Sequence, residues 1–286
     1  MTQTTHLIVQ SPALSPESIE HAAAVAMANG SYRINATAVR LTDVDTDEQV
    51  RREVAQWCAQ AGVDYAYVPA GLKLSAFKVL AMDMDSTLIN IECIDEIADF
   101  IGKKPEVAAI TEAAMRGEIK DFSESLRRRV ALLEGAPASA LEHVYEERLR
   151  LNPGADKLIE QAHAAGLKVL LVSGGFTFFT DRLRERLNLE DSHANVLEVE
   201  NGVLTGRVLG DIVDAYGKAC HLRDFAKRFG AGSSEIIAIG DGANDLQMLG
   251  LAGISVAYRA KPVVREQTRY ALSHSGLDGV LNWFEG

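Results

Sequence analysis

The sequence predicts an α/β protein: a doubly wound parallel-sheet core with an inserted helical segment, preceded by a smaller α/β unit. Three observations carry that reading. Hydrophobic runs at 78–82, 167–172 and 235–239 each lead into a cluster of small and polar residues, as buried parallel strands do where their carboxyl ends hold the chemistry. Residues 92–150 read almost entirely as helix, with no convincing strand. Before Pro69-Ala70-Gly71, short apolar runs alternate with helical stretches.

Taken in order, His6 to Val9 reads as a strand, and Ser15-Pro16-Glu17-Ser18 as a helix start with Ser15 as cap and Pro16 in the first turn. A second strand at 36–41, an amphipathic helix at 46–61 and a third strand at 63–68 complete a first unit, residues 1–75. Pro69-Ala70-Gly71 is expected to be a linker that few core contacts cross. The second unit, 76–286, opens with the strand at 78–82, and its helical insertion, at about 90–150, ends where Asn152-Pro153-Gly154 breaks the run. A helix at 155–165 stops at Gly166, and the strand at 167–172 enters Ser173-Gly174-Gly175. Asn201-Gly202 between 195–200 and 203–208 predicts a hairpin. A helix near 218–229, the strand at 235–239 and a fourth core strand at 253–257 close the chain.

Composition narrows the function. The 286 residues leave room for about two domains at roughly 150 each, and 47% hydrophobic with 24% charged residues is an ordinary globular balance. With 29 Lys and Arg against 40 Asp and Glu, the net charge of -11 opposes attachment to a nucleic-acid backbone, so nucleic acid is not an expected partner. A small anionic ligand is still admissible, because a metal ion and a few cations reverse the sign inside one cleft. Cys58, Cys93 and Cys220 are odd in number and widely spaced, which argues against a disulfide framework or a Cys-x-x-Cys metal site and for a reducing, cytoplasmic setting. The longest weakly polar stretch near the start, Ala22 to Ala28, is too short to span a bilayer and follows Glu20 and His21, so neither a signal peptide nor a membrane partner is expected.

A doubly wound sheet brings its strand ends to one edge, so three clusters far apart in sequence would form a composite site. The first supplies Asp83 and Asp85, the second Ser173 with two glycine amides, and the third Asp241, Asn244 and Asp245. Any one of these aspartates alone reads as a turn former or helix cap; coincidence at three strand ends reverses that preference. Carboxylates from separate loops suit a hard cation, and Mg²⁺ typically takes one or two of them with substrate phosphate and water. Gly240-Asp241-Gly242 lacks the third glycine of a dinucleotide loop, Asp245 standing there, and the chain has no G-x-x-x-x-G-K-[ST] loop.

Asp83-Met84-Asp85-Ser86-Thr87, Ser173, Lys218 and Gly240-Asp241-Gly242-Ala243-Asn244-Asp245 resemble, in order, the four motifs of the haloacid dehalogenase-like phosphatases. More narrowly, Asp83 to Glu92, Phe122 to Arg129, Val172 to Phe176 and the last loop resemble the phosphoserine phosphatase family, over about residues 77–285. The resemblance implies a Rossmann-like core with a helical cap, and an N-terminal extension of the ACT-like α/β kind. It also implies hydrolysis of a small phosphomonoester, O-phosphoserine, to L-serine, the last step of L-serine biosynthesis. A complete ACT domain has four strands in βαββαβ order, and three are read here; that leaves regulation, homodimer formation or plain stabilisation as roles for the extension.

By the same resemblance, Asp83 is the nucleophile and Asp85 the general acid, then base. Mg²⁺ is held by the Asp83 carboxylate, the Asp85 main-chain carbonyl and Asp241, with Asp245 ordering the metal surroundings and Lys218. Ser173, the Gly174 amide and Lys218 cradle the phosphoryl oxygens, and Asn244 belongs to the same loop set. Glu92 and Arg129 answer the ammonium and carboxylate of the substrate, and Phe122 lines its wall with Met115 a weaker candidate. Among Arg127-Arg128-Arg129, one or two must simply be a solvated helix face. Another small phosphomonoester such as phosphohomoserine, hydrolysed or transferred, and an amino-acid-binding regulator with a vestigial site are the competing functions.

Overall fold

The computed structural model describes residues 4–285. The first strands are β1 (Thr5–Gln10), β2 (Gly30–Asn35), β3 (Ala38–Thr42) and β4 (Asp64–Pro69), with helices α1 (Pro16–Val25) and α2 (Glu48–Ala61) between them. They form an antiparallel sheet in the order β2-β3-β1-β4. Ser15 caps α1 by accepting from the Ser18 amide at 3.1 Å, with Pro16 in the first turn. Asp47 caps α2, and Gly62, at φ +66°, ends it in a left-handed conformation that glycine adopts without steric cost.

The three strands read from sequence are thus four, and the complete βαββαβ order is present. Strand β2 escapes periodicity because it lies at the sheet edge: Ser31, Tyr32 and Arg33 are all exposed, so no apolar alternation records it. Its pairing to β3 is a backbone matter.

Alternate residues of β1 serve two cores. Leu7 and Val9 pack with Val54 and Cys58 of α2, while Ile8, with Ala66 and Val68 of β4, joins the core that contains Phe77, Tyr270 and Trp283. The expectation that few contacts cross after residue 70 is therefore overturned. The buried Asp64 carboxylate accepts from the amides of Ser273, His274 and Ser275 at 2.7–3.2 Å. Arg40 donates to the Asn282 and Phe284 carbonyls and pairs with Glu285 at 3.0 Å. A sheet apolar on both faces must bury both.

The second sheet comprises β5 (Val79–Met82), β6 (Lys168–Phe176), β7 (Asp191–Glu200), β8 (Val203–Leu209), β9 (Ile236–Gly240), β10 (Ile254–Tyr258) and β11 (Tyr270–Leu272). Its order is β11-β10-β9-β5-β6-β7-β8, and all pairs are parallel except the β7–β8 hairpin. The predicted hairpin is the far end of a longer strand, for Leu170, Leu171 and Val172 of β6 pair with Asp191, Ser192 and His193 of β7. Beside β5 the connections turn in opposite directions, the position at which open α/β sheets bind ligands.

Helices α3 (Cys93–Phe100), α4 (Lys104–Met115), α5 (Phe122–Ala131) and α6 (Ser139–His143) form the cap. The chain leaves and returns where Ile89 bridges Leu151. The remaining helices are α7 (Ala155–Ala164), α8 (Thr177–Leu187), α9 (Ala215–Arg228), α10 (Leu246–Leu249) and α11 (Pro262–Arg265).

Candidate active site

Three strand ends do meet. Asp83 follows β5, Ser173 and Gly174 lie within β6, and Asp241 follows β9; carboxylate oxygens of Asp83, Asp241 and Asp245 lie within 4.8 Å of one another. Beneath them Lys218, 1% exposed, places Nζ 2.7 Å from Asp83 Oδ1 and 2.7 Å from Asp245 Oδ1. The Asp214 side chain, capping α9 through the Gly217 amide, sets that lysine in the helix's first turn. Asp245 is fully engaged, its Oδ2 accepting from the Asp241 and Gly242 amides. Asp83 Oδ1 also accepts from the Met84 amide at 2.7 Å, and Thr87 Oγ1 donates to Asp241 Oδ1 at 2.9 Å. The second oxygens of Asp83 and Asp241 accept no hydrogen bond among the described residues.

Crowding governs the electrostatics. Burial, then the Asp245 charge, pushes Asp241 up to about 7, and the same two causes raise Asp83 against the pull of Lys218. Burial alone would lower Lys218, but Asp245 and Asp83 raise it, so the ammonium stays charged. A divalent cation bound to oxygen would relieve this carboxylate repulsion, and the donor set, all hard oxygen, fits Mg²⁺.

The chain turns sharply after β5, with Ser86 at φ +56°, a region side chains rarely occupy. That turn aims Asp85 Oδ1 at the Cys93 amide, 3.1 Å away, and burial raises Asp85 to about 6. A Cβ on Gly175 would meet Asp85 Oδ2 at 2.5 Å and one on Gly174 would meet the Phe122 ring at 3.0 Å, so the glycines let both residues close over the strand end.

Residues of α4, α5 and the start of α3 line, together with the carboxylates, a cavity of about 1210 Å³. Its wall includes Asp83, Asp85, Glu92, Phe122, Arg129 and Ser173, with Gly174, Asp241, Asn244 and Met115. Arg127 and Arg128 are exposed, Arg128 paired with Glu124, while Arg129 is turned inward. Glu92 accepts from Ser86 Oγ at 2.6 Å, and burial followed by the Asp85 charge lifts it to about 7. Lys218 and Asp245 are the two sequence-selected residues off the wall. Lys218 Nζ is held between two buried carboxylates, which take two of its three N–H groups.

Positioning residues escaped the sequence reading. Asn152 donates to the Thr87 and Ile89 carbonyls at 2.8 and 2.9 Å, fastening the turn. Asn195 ties the Gly174 carbonyl to the Val213 amide, both at 2.8 Å. Thr87, inside the first motif, fixes Asp241 through its hydroxyl.

A parallel sheet with carboxylates at its switch point, a lysine beneath and an inserted cap above defines a class, and the chain belongs to the haloacid dehalogenase-like hydrolase family, whose model matches residues 80–250. A second model, a domain of unknown function (DUF4072), matches residues 7–54. Within the family, the chain is 59% identical over 214 residues to the phosphoserine phosphatase of Polaromonas sp. (strain JS666), covering 73% of this chain and 91% of the relative. Among solved structures, a HAD family hydrolase from Salmonella enterica subsp. enterica serovar Typhi superposes with a TM-score of 0.89 at 31% identity, over 99% of this chain and 98% of that one. An unliganded probable phosphoserine phosphatase from Vibrio cholerae gives a TM-score of 0.83 at 36% identity, over 99% and 86%.

Proposed function

We propose that the protein hydrolyses O-phospho-L-serine to L-serine and phosphate. The observation that carries this is that one cavity is lined by Glu92 and Arg129 together with Asp83 and Asp85: an anion and a planar cation for the amino-acid end, two carboxylates for the phosphoryl end. Phosphate release from O-phospho-L-serine, with and without Mg²⁺ and against phosphohomoserine, tests it.

In this mechanism an Asp83 oxygen attacks phosphorus, the bond to the serine oxygen breaks, and Asp85 gives that oxygen its proton. Asp85, now a carboxylate, takes a proton from water, which attacks the aspartyl phosphate and frees phosphate and Asp83. Asp85 must be protonated at the first step, and its raised affinity for a proton serves that end. Lys218 neutralises Asp83 and holds it in line, with Asp245 fixing the lysine. Ser173, the Gly174 amide and Asn244 face the phosphoryl oxygens. Asp83, the Asp85 carbonyl and Asp241 would hold Mg²⁺, which supplies charge neutralisation on those oxygens.

Two expected results belong here. Arg129→Ala should lower kcat/KM for phosphoserine by about 1.5–3 kcal/mol, the scale of a charge-assisted hydrogen bond, and affect p-nitrophenyl phosphate far less. Equal losses on both substrates would make Arg129 structural. The second concerns metal and pH. Asp85, Glu92 and Asp241 bind protons more tightly folded than unfolded, so their contribution to stability is present in acid and lost as pH rises through about 6 to 7. With EDTA, Tm should fall between mildly acidic and mildly alkaline pH, and Mg²⁺ should raise it by several degrees more at the alkaline end. A Mg²⁺ effect independent of pH would contradict the ligand set.

The division at 1–75 and 76–286, with the cap at about 90–150, is the working domain assignment, in a cytoplasmic setting; no helix among the described residues is long and apolar enough to cross a membrane. The first unit's role is stabilising. A chain beginning at Leu72 strips the cover from Phe77, Tyr270 and Trp283 and should lose Tm sharply, while whatever fraction stays folded keeps kcat. A truncated protein of full stability would return the extension to regulation or dimer formation.

A further inference from the structure

A second cleft, of about 820 Å³, runs between β4 with α2 on one side and the β11 edge of the large sheet on the other. It shares no lining residue with the active-site cavity. In a chain of net charge -11, three guanidinium groups gather on it: Arg51 from α2, Arg265 from the end of α11, and Arg269 just before β11.

None of the three is ion-paired among the described residues. Arg51 donates to the Thr46 carbonyl, Arg265 to Ser273 Oγ and Arg269 to the Gly253 carbonyl, each a neutral acceptor that leaves the charge in place and other N–H groups free. Two acids stand near, Asp64 on the cleft lining itself, and neither pairs with an arginine among the described residues. Asp64 accepts from the amides of residues 273–275, and Asp45 from the Asp47 amide. Aromatic rings hold the arginines apart and in place: Arg51 lies 4.3 Å from the centroid of Tyr67, and Arg269 5.6 Å from that of Tyr270. The Tyr270 hydroxyl donates across the cleft to the Tyr67 carbonyl at 3.1 Å, and the positive charges of Arg269 and Arg51 both act on it. Arg51 of α2 and Arg269 of the turn before β11 thus flank the Tyr67–Tyr270 contact. The Tyr67 hydroxyl is buried with no hydrogen-bond partner.

We propose that this cleft is a second binding site, for a small organic anion carrying two or more carboxylate or phosphate groups. Planar guanidinium groups pair with both kinds bidentately, and the cleft's volume exceeds what a bare inorganic ion would fill. The site joins the two units, so its occupant would bind only the assembled chain.

The test is calorimetric titration of the full-length, Mg²⁺-free protein with citrate and, separately, with an organic bisphosphate, fructose 1,6-bisphosphate; the stronger of the two identifies the chemistry. Arg51→Gln with Arg269→Gln should weaken that binding about tenfold or more, the scale of one lost charge-assisted contact, whereas Arg129→Gln in the other cavity should leave it unchanged. If the double variant loses Tm without ligand, Arg265→Gln alone serves, with the same direction expected. Absence of heat with both probes, binding indifferent to the cleft arginines, or binding abolished by Arg129→Gln would overturn the proposal.

Discussion

Asp83→Asn is expected to abolish turnover while leaving the fold intact, with a loss of roughly 10⁴-fold or more, as when a catalytic nucleophile is removed. An amide has no charged oxygen with which to attack phosphorus. Stability should not fall with activity. Asp83 has Lys218 at 2.7 Å, but it also crowds Asp241 and Asp245, and neutralising one of three clustered carboxylates relieves repulsion that offsets the lost ion pair. Without divalent metal, Tm should therefore hold or rise. The intermediate gives the decisive measurement: a mild-acid quench after brief exposure to substrate, or a beryllium fluoride complex, should mark Asp83. A mark on any other residue would remove it from its role.

What the sequence disclosed follows from which interactions are local. Polar residues ending hydrophobic runs break a period, so Asp83, Ser173 and Asp241 stood out, and a parallel sheet left only one way to gather them. Caps such as Ser15 are local and were legible. Strand β2 was not, because an exposed edge needs no apolar face, and neither was the three-residue β11. Asn152 and Asn195 look like loop residues in sequence; their work is to satisfy carbonyls that tertiary folding buries nearby. The crossing from β4 to residues 273–275 was hidden for the same reason, since Asp64 reads as a strand-edge acid until three amides from beyond residue 270 converge on it. Three consecutive arginines could be sorted only by resemblance, and helix α5 turns Arg129 to the cavity while Arg127 and Arg128 face solvent.

Lys218→Met should damage stability and activity together, and the two losses have one cause. The methionine is apolar and close in length, so it fills the slot, but it leaves Asp83 Oδ1 and Asp245 Oδ1 without the ammonium that lies 2.7 Å from each. Breaking a buried ion pair from one side costs about 3–5 kcal/mol, which in a domain of this size lowers Tm by roughly 6–20 °C. The penalty belongs to the charged carboxylates. Removing Lys218 raises the proton affinity of Asp83 further, so the variant's deficit should be largest at neutral and alkaline pH and shrink in acid, where Asp83 is protonated. Mg²⁺ should restore part of it through Asp83, whereas Asp245, whose other oxygen is held by the Asp241 and Gly242 amides, stays unpaired. Turnover should fall by about 10²–10³-fold even with saturating Mg²⁺, the usual loss when one preorganised donor is withdrawn from a developing charge. Lys218→Arg should not rescue it, because a site 1% exposed has no room for a guanidinium. If instead Lys218→Met kept its Tm across pH and lost only affinity for substrate, the lysine would act on the phosphoryl oxygens directly and not through Asp83.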